Sequence, residues 1–142
     1  MIAIIAEKPS VGQEIARVVG ATEKKDGYIT GNGYMVTWAL GHLVSLALPG
    51  TYGYTRTTAE DLPMLPEPFR LVERQIRTDR GMVTDIAAGR QLKVIDGVFS
   101  ECDSIIVATD AGREGELIFR WIYSHLGCTK LFKRLWFSSL TD

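Results

Sequence analysis

Three acidic and two basic residues stand where their side chains can do chemistry together. Glu7 and Lys8 follow one short apolar run, and Asp110, Arg113 and Glu114 follow a similar run much later in the chain. Carboxylate oxygens are the usual ligands of hard cations such as Mg²⁺, whereas lysine and arginine bind phosphate. Carboxylates that converge repel each other, which raises the pKa of at least one of them. The set therefore predicts a divalent-ion site or a general acid beside a phosphate-binding pair of cations.

Both groups follow a predicted buried strand. Residues 2–6 and 105–108 are unbroken apolar runs, a pattern typical of parallel strands covered on both faces. After each loop, apolar residues recur at helical spacing, from Val11 in the first unit and from Leu117 in the second. Ligand sites of open α/β sheets lie at the carboxyl ends of strands. We therefore expect the two loops to meet at one edge of a sheet if the two strands are neighbours.

The other segments favour an α/β fold with a mostly parallel central sheet, helices on both faces and an inserted β-hairpin. Residues 28–30 and 34–40, separated by Gly-Asn-Gly, predict the hairpin. Residues 71–76 predict a strand or an edge, and a helix is expected from residue 82 or 83 to residue 99. Residues 131–137 predict a closing strand. Four of the five prolines lie in residues 49–68, which predicts an ordered but irregular segment.

Composition indicates one globular domain. The chain has 142 residues, of which 46% are hydrophobic and 23% charged, and this balance excludes a disordered chain. Its formal net charge of −1 means that a nucleic-acid site must be a local patch. Cys102 and Cys128 lack metal-ligand spacing, and no signal peptide or membrane segment is visible. Free thiols in a reducing cytoplasm are the expectation.

Each candidate residue also has a purely structural interpretation. Asp110 can be a turn residue, and Glu114 and Glu116 can be ordinary acids in the first turn of a helix. His42, which follows the hairpin, can be a surface or cap residue. Taken alone, the residue pattern leaves the structural and the functional interpretation open.

Four stretches of the chain resemble a known family. The motifs are similar to those of the toprim domain of bacterial type IA DNA topoisomerases, and most similar to topoisomerase III. The resemblance covers nearly the whole chain and implies a compact, Rossmann-like α/β unit with a central parallel sheet. It also implies that residues 1–142 are the N-terminal toprim domain of a longer topoisomerase. The stretches are Ala-Glu-Lys-Pro-Ser-Val at 6–11, Gly-His-Leu at 41–43, Ala-Thr-Asp-Ala-Gly-Arg-Glu-Gly-Glu-Leu-Ile at 108–118 and Leu-Trp-Phe-Ser-Ser-Leu-Thr at 135–141.

The resemblance implies catalytic roles for the first motif. Glu7 matches the glutamate that protonates the leaving 3′-oxygen during DNA cleavage and later takes the proton back. Lys8 would neutralise the scissile phosphate in the transition state. His42 and Arg113 join Lys8 as the expected DNA contacts.

The resemblance also implies a metal site. The family's Asp-x-Asp-x-Glu motif here begins at Asp110 and ends at Glu114, with Gly112 in place of the middle aspartate. This replacement removes one potential ligand and disfavours a two-metal arrangement. One Mg²⁺ is therefore expected, held by Asp110 and Glu114 with Glu7 close by as a further ligand.

In the family, the tyrosine that attacks single-stranded DNA lies in a later domain, and none of the five tyrosines here has a matching context. The resemblance thus implies an incomplete catalytic part of a bacterial, cytoplasmic, nucleoid-associated isomerase, which needs the other domains of its parent enzyme. Alone, the chain is expected to be inactive. One alternative is a stand-alone toprim nuclease or primase-like enzyme that uses metal-activated water, which Gly112 disfavours. Another is a non-catalytic α/β module that binds nucleotide or DNA.

Overall fold

Ten strands and three helices form the part of the chain that the structure describes. The computed structural model describes residues 1–46, 71–79, 81–110 and 112–135. The elements are β1 (Ile2–Ala6), α1 (Pro9–Val19), β2 (Glu23–Lys25), β3 (Tyr28–Gly31), β4 (Tyr34–Trp38), β5 (Val44–Leu46), β6 (Leu71–Glu73), β7 (Gln75–Thr78), β8 (Gly81–Thr84), α2 (Ile86–Glu101), β9 (Ser104–Ala108), α3 (Arg113–His125) and β10 (Leu131–Arg134).

The largest sheet has six strands in the order β10-β9-β1-β4-β3-β2. The first four strands of this order run parallel, and β1 lies between β9 and β4. Strands β3 and β2 continue the sheet in antiparallel fashion. The prediction of an α/β fold with a mostly parallel sheet is confirmed. The predicted hairpin is β3 and β4, and it is part of the same sheet because β4 pairs directly with β1.

Alternate side chains of β1 face two separate cores. Ala3 and Ile5 lie in the core that includes the buried residues of α2 and α3, among them Phe119. Ile4 and Ala6 lie in the other core, together with the buried residues of α1. All four β1 side chains are almost fully buried, so the unbroken apolar run follows from a strand covered on both faces. The prediction of helices on both faces is confirmed.

Helix α2 begins later than the sequence pattern predicted. The expected start at residue 82 or 83 is wrong, because Gly81–Thr84 is strand β8, paired with β7. The helix begins at Ile86, and the Asp85 carboxylate caps it by accepting a hydrogen bond from the Ala87 amide at 3.0 Å. The apolar residues Met82 and Val83 suit a strand as well as the first turn of a helix. Periodicity alone therefore did not distinguish a strand from a helix at this point.

The strand predicted over residues 71–76 is two strands. Strand β6 pairs with β5, whereas β7 pairs with β8. Arg74 lies between them, and its guanidinium donates to the Asp85 carboxylate at 2.9 Å and to the Leu40 carbonyl. This arginine therefore ties the β7–β8 hairpin to the end of β4.

Some predictions concern residues outside the described ranges. The irregular segment at 49–68 and the end of the closing strand beyond residue 135 belong to this group, as does most of the 135–141 motif. Within the described ranges, no helix combines the length and the apolar character needed to cross a membrane.

Candidate functional site

Glu7 and Asp110 meet at the carboxyl edge of the main sheet. They follow β1 and β9, which are adjacent strands whose last residues, Ala6 and Ala108, are aligned. The Asp110 backbone amide donates a hydrogen bond to Glu7 Oε1 at 3.2 Å. The structure thus brings together two acids that are far apart in the sequence, as expected for neighbouring parallel strands.

The Glu7 carboxyl group is electrostatically unusual. Partial burial raises its pKa above the ordinary value of 4.5. The negative charge of Asp110 and a hydrogen bond with its carboxyl group raise the pKa further, while the Asp110 amide and the Lys8 ammonium act in the opposite direction. Glu7 therefore holds a proton more readily than an exposed glutamate does. Such a group can serve as a general acid or can bind a cation that relieves the repulsion.

Lys8 is exposed next to Glu7 and occupies the N-cap position of α1. Its backbone is extended, and its ammonium is a donor that cannot accept a capping hydrogen bond from the helix amides. Pro9 begins the helix, as suits a residue without an amide hydrogen. Gly12 lets the helix approach β4 closely, because an added Cβ would lie 2.5 Å from the Trp38 ring.

The Asp110 loop is held by direct contact with the backbone of α3. A Cβ on buried Gly115 would lie only 2.0 Å from the Asp110 carbonyl oxygen. The buried Thr109 hydroxyl donates to the Gly115 carbonyl at 2.9 Å, and Arg134 donates to the Thr109 carbonyl at 2.7 Å. Sequence reasoning missed these three positioning residues. A glycine within a strong helical pattern was the available signal, since glycine weakens a helix unless a close approach requires it.

Glu114 is oriented differently from the other two acids. Its side chain is 79% exposed, and its Oε1 lies 2.9 Å from Nε2 of His42. The His42 ring packs against Trp121 at a centroid distance of 5.8 Å. Its Nδ1 is buried and has no hydrogen-bond partner among the residues that the structure describes. The predicted DNA contact by His42 stays a prediction, and the ring nitrogen that faces outward is engaged with Glu114.

The predicted metal set is assembled in part. Within the described ranges, no group of three or more His, Cys, Asp or Glu side chains is placed to hold a metal ion. Glu7 and Asp110 nevertheless form a donor pair of the kind that hard cations prefer, and a cation would offset the cost of ionising Glu7 beside another acid. The pair therefore fits one hard cation, with Glu114 as a predicted third ligand. Gly112 contributes no side-chain oxygen.

A basic residue lies next to the acidic pair of Glu7 and Asp110 at the carboxyl edge of the main sheet. Arg113 is exposed at the start of α3 and lines a cavity between α3 and β10. Its predicted role as a DNA contact is untested, but the cavity gives it a defined location one strand beyond the acidic pair.

Comparison with known proteins decides the family. A model of the toprim domain matches residues 2–140. This chain belongs to the Toprim domain family. The predicted toprim fold is thereby confirmed, and so is the resemblance to topoisomerase III. The Toprim chain is 46% identical to DNA topoisomerase 3 of Bacillus licheniformis, 45% identical to that of Bacillus subtilis and 46% identical to that of Shouchella clausii.

These matches cover 98% to 99% of the Toprim chain. The chain in turn spans only 18% of the length of each of these relatives. The similarity therefore covers nearly the whole of this chain and a small part of each of those proteins.

Proposed function

We propose that this chain is the toprim domain of a longer type IA DNA topoisomerase of the topoisomerase III kind. In this proposal the domain holds Mg²⁺ and the scissile phosphate of single-stranded DNA, and it supplies the general acid for cleavage and religation. The observation that carries the proposal is the contact between Glu7 and Asp110 at the ends of adjacent strands. The relatives named DNA topoisomerase 3 support it, since they share this region over nearly its whole length.

Glu7 donates its proton to the 3′-oxygen that leaves when the phosphodiester bond breaks, and it takes the proton back at religation. Lys8, exposed beside it, binds a non-bridging oxygen of the same phosphate and stabilises the charge that grows in the transition state. In its ionised form, Glu7 would hold the Mg²⁺ ion together with Asp110, with Glu114 completing the set. When bound, the ion would position DNA phosphates for religation.

The attacking tyrosine comes from another domain of the proposed enzyme. Tyr123 is not a suitable nucleophile, because it has a structural role. Its hydroxyl donates to the Lys130 carbonyl at 2.9 Å, and its ring packs against Phe119 and Phe132. Because its substrate is chromosomal DNA, the enzyme would work at the nucleoid in the bacterial cytoplasm.

The metal site is tested by isothermal titration of Mg²⁺ into the purified chain. Asp110→Asn should weaken Mg²⁺ binding by about tenfold or more, since loss of even an outer-shell partner has effects of about that size. Asp26→Asn is the matched control, because Asp26 is exposed and, among the residues that the structure describes, is paired with Arg90 alone, at 3.3 Å. An unchanged affinity in the Asp110 variant, or an equal loss in both variants, contradicts the proposed site.

Activity of the isolated chain is tested on supercoiled plasmid DNA. The proposal expects neither relaxation nor cleavage, because the nucleophile lies elsewhere. Relaxation by the 142-residue chain would refute this expectation. Mg²⁺-dependent nicking without relaxation would instead favour a toprim nuclease.

A further inference from the structure

A cavity of about 480 Å³ lies one strand beyond the acidic pair, at the same edge of the sheet. Its size is within the range of about 300–1,000 Å³ that is usual for small-molecule sites. Three arginines and one glutamate dominate its chemistry, which gives the walls a surplus of two positive charges. The residues that matter here are Gly112, Arg113, Glu116, Arg120, Phe132 and Arg134.

Two of the arginines are held in place by one carboxylate. Arg120 Nε donates to Glu116 Oε1 at 2.7 Å, and Arg134 lies 2.6 Å from Glu116 Oε2. The Arg120 guanidinium also lies 4.8 Å from the centre of the Phe132 ring, and the Arg134 side chain is only 12% exposed. The two guanidinium groups are therefore fixed before any ligand arrives.

The third arginine has no such partner among the residues that the structure describes. Arg113 takes part in none of the ion pairs between residues that the structure describes. Its charge is exposed at the rim of the cavity. Arg134 also donates to the Thr109 carbonyl and hydroxyl, so it contributes its charge to the site more than further hydrogen bonds. The fixed guanidinium of Arg120 and the uncompensated one of Arg113 remain to donate to a phosphate, which accepts several charge-assisted hydrogen bonds at once.

Gly112 adds no second carboxylate to the one that Glu116 already gives this cavity. Its backbone is extended, with φ −115° and ψ 177°, which any residue can adopt. A Cβ added there would have none of the described atoms within 4 Å. Neither backbone conformation nor packing therefore requires glycine at this position. An aspartate here, as in the family's motif, would place a carboxylate among the arginines.

We propose that the cavity between α3 and β10 is a second phosphate-binding site, which takes a phosphodiester group of single-stranded DNA. The identity of the ligand as DNA rests on the proposed function, whereas the preference for phosphate rests on the arginines. Because β10 pairs with β9, a DNA strand bound at Glu7 reaches the cavity along the same edge of the sheet. The site anchors the DNA and is separate from the metal pair.

The test measures binding of a fluorescently labelled single-stranded oligonucleotide to the 142-residue chain by anisotropy, with EDTA present throughout. Gly112→Asp should weaken binding by about tenfold or more, because a like charge facing a phosphate is unfavourable. Gly112→Asn has nearly the same shape without the charge and should bind markedly more tightly than the Asp variant. Equal losses in the two variants would mean a steric effect and would overturn the proposal.

The arginines provide a second measurement. Arg120→Gln should lower the slope of log affinity against log salt concentration by about one, as expected for the loss of one phosphate contact. Arg90→Gln, in a different cavity, should leave the slope unchanged. A slope unaffected by Arg120→Gln contradicts the site.

Competition identifies the source of the phosphate. Inorganic phosphate and a deoxynucleoside monophosphate should compete only weakly with the oligonucleotide. Equally tight binding of either small anion would overturn the assignment to DNA. Since EDTA removes metal, loss of binding in the Gly112→Asp variant is independent of the Mg²⁺ result with Asp110→Asn. Each proposal can therefore fail without the other.

Discussion

The site is built by two strand–loop–helix units, β1–α1 and β9–α3, that are alike locally but differ in their surroundings. The acid of the first unit, Glu7, is half-buried against the Asp110 loop, and its pKa is raised. An acid at the helix start of the second unit, Glu114, is 79% exposed and pairs with His42. Two units with the same order of strand, loop and helix thus carry two different carboxyl groups. That of Glu7 retains its proton more readily, and that of Glu114 is exposed to solvent. Desolvation, which depends on neighbours rather than on the motif, makes the difference.

The two units also differ in how their helices are packed. Both α1 and α3 carry a buried glycine in the first turn. At Gly12 an added Cβ would meet the Trp38 side chain at 2.5 Å, whereas at Gly115 it would meet the Asp110 carbonyl oxygen at 2.0 Å. A side chain can move aside more easily than a backbone carbonyl can. The second unit is therefore the more rigidly specified of the two.

The sharpest test of this comparison substitutes one acid in each unit, Glu7 in the first and Glu114 in the second. It uses the complete enzyme proposed above. Glu7→Gln should lower the rate of DNA cleavage by about 10²–10⁴-fold, the usual contribution of a general acid. Glu114→Gln should have a much smaller effect on the cleavage step, because Glu114 donates no proton in the proposed mechanism. Cleavage rates of single-stranded DNA, measured with circular dichroism as a check of folding, decide the matter. Equal effects of the two substitutions would remove the distinction between the units.

A second test compares the two glycines by chemical denaturation of the isolated chain. Gly115→Ala should lower the free energy of unfolding by about 1–3 kcal/mol, the usual effect of overpacking. Gly12→Ala should cost less, since the Trp38 ring can shift. Gly97→Ala is the control, because none of the described atoms would contact a Cβ added to this exposed helical glycine. This substitution should stabilise the protein by about 0.5–1 kcal/mol. A larger loss at Gly12 than at Gly115 would reverse our interpretation of the packing.

The junction between β8 and α2 serves as a reference, because it lies outside the candidate functional site. Partial burial pushes the pKa of Asp85 upward, but the hydrogen bond and charge of Arg74, together with the amides of Ala87 and Ala88, outweigh it. The folded-state pKa therefore lies below 3.8, so this contribution to stability is present above that pH and disappears as the pH falls through the folded value. Asp85→Asn, which keeps a good N-cap residue, should be destabilising at pH 7.

Thermal unfolding across the pH range checks this prediction. The melting temperatures of the wild type and of Asp85→Asn should converge well below pH 3.8. A difference that persists unchanged in strong acid would show that the charge of Asp85 is not responsible.

The smallest expected effect concerns the partner of the exposed acid. The contact between His42 and Glu114 should contribute no more than about 1 kcal/mol to the free energy of unfolding, because polar pairs at the surface contribute little. A double-mutant cycle of His42→Ala with Glu114→Gln isolates the interaction between the two side chains. A coupling of several kcal/mol would place Glu114 in a buried network and would contradict its description as the open acid.

Local patterns predicted the central elements well. The apolar runs at residues 2–6 and 105–108 are β1 and β9, and Gly-Asn-Gly joins β3 to β4. Prediction failed where one pattern suits two structures, as at the start of α2, and where a long-range contact divides a strand, as at Arg74. Gly115 was overlooked because its reason for being glycine lies in a contact with another part of the chain.

The sequence by itself determined the family, the strand–loop–helix units and the acids at their junctions, because these depend on residue types and on short-range spacing. Only the tertiary structure decided that Glu7 lies against Asp110 while Glu114 pairs with His42. It also decided that the arginines of α3 and β10 share one cavity. Strand order and packing between distant segments set the distances on which charge interactions and desolvation depend. Those distances are not encoded in any single stretch of the chain.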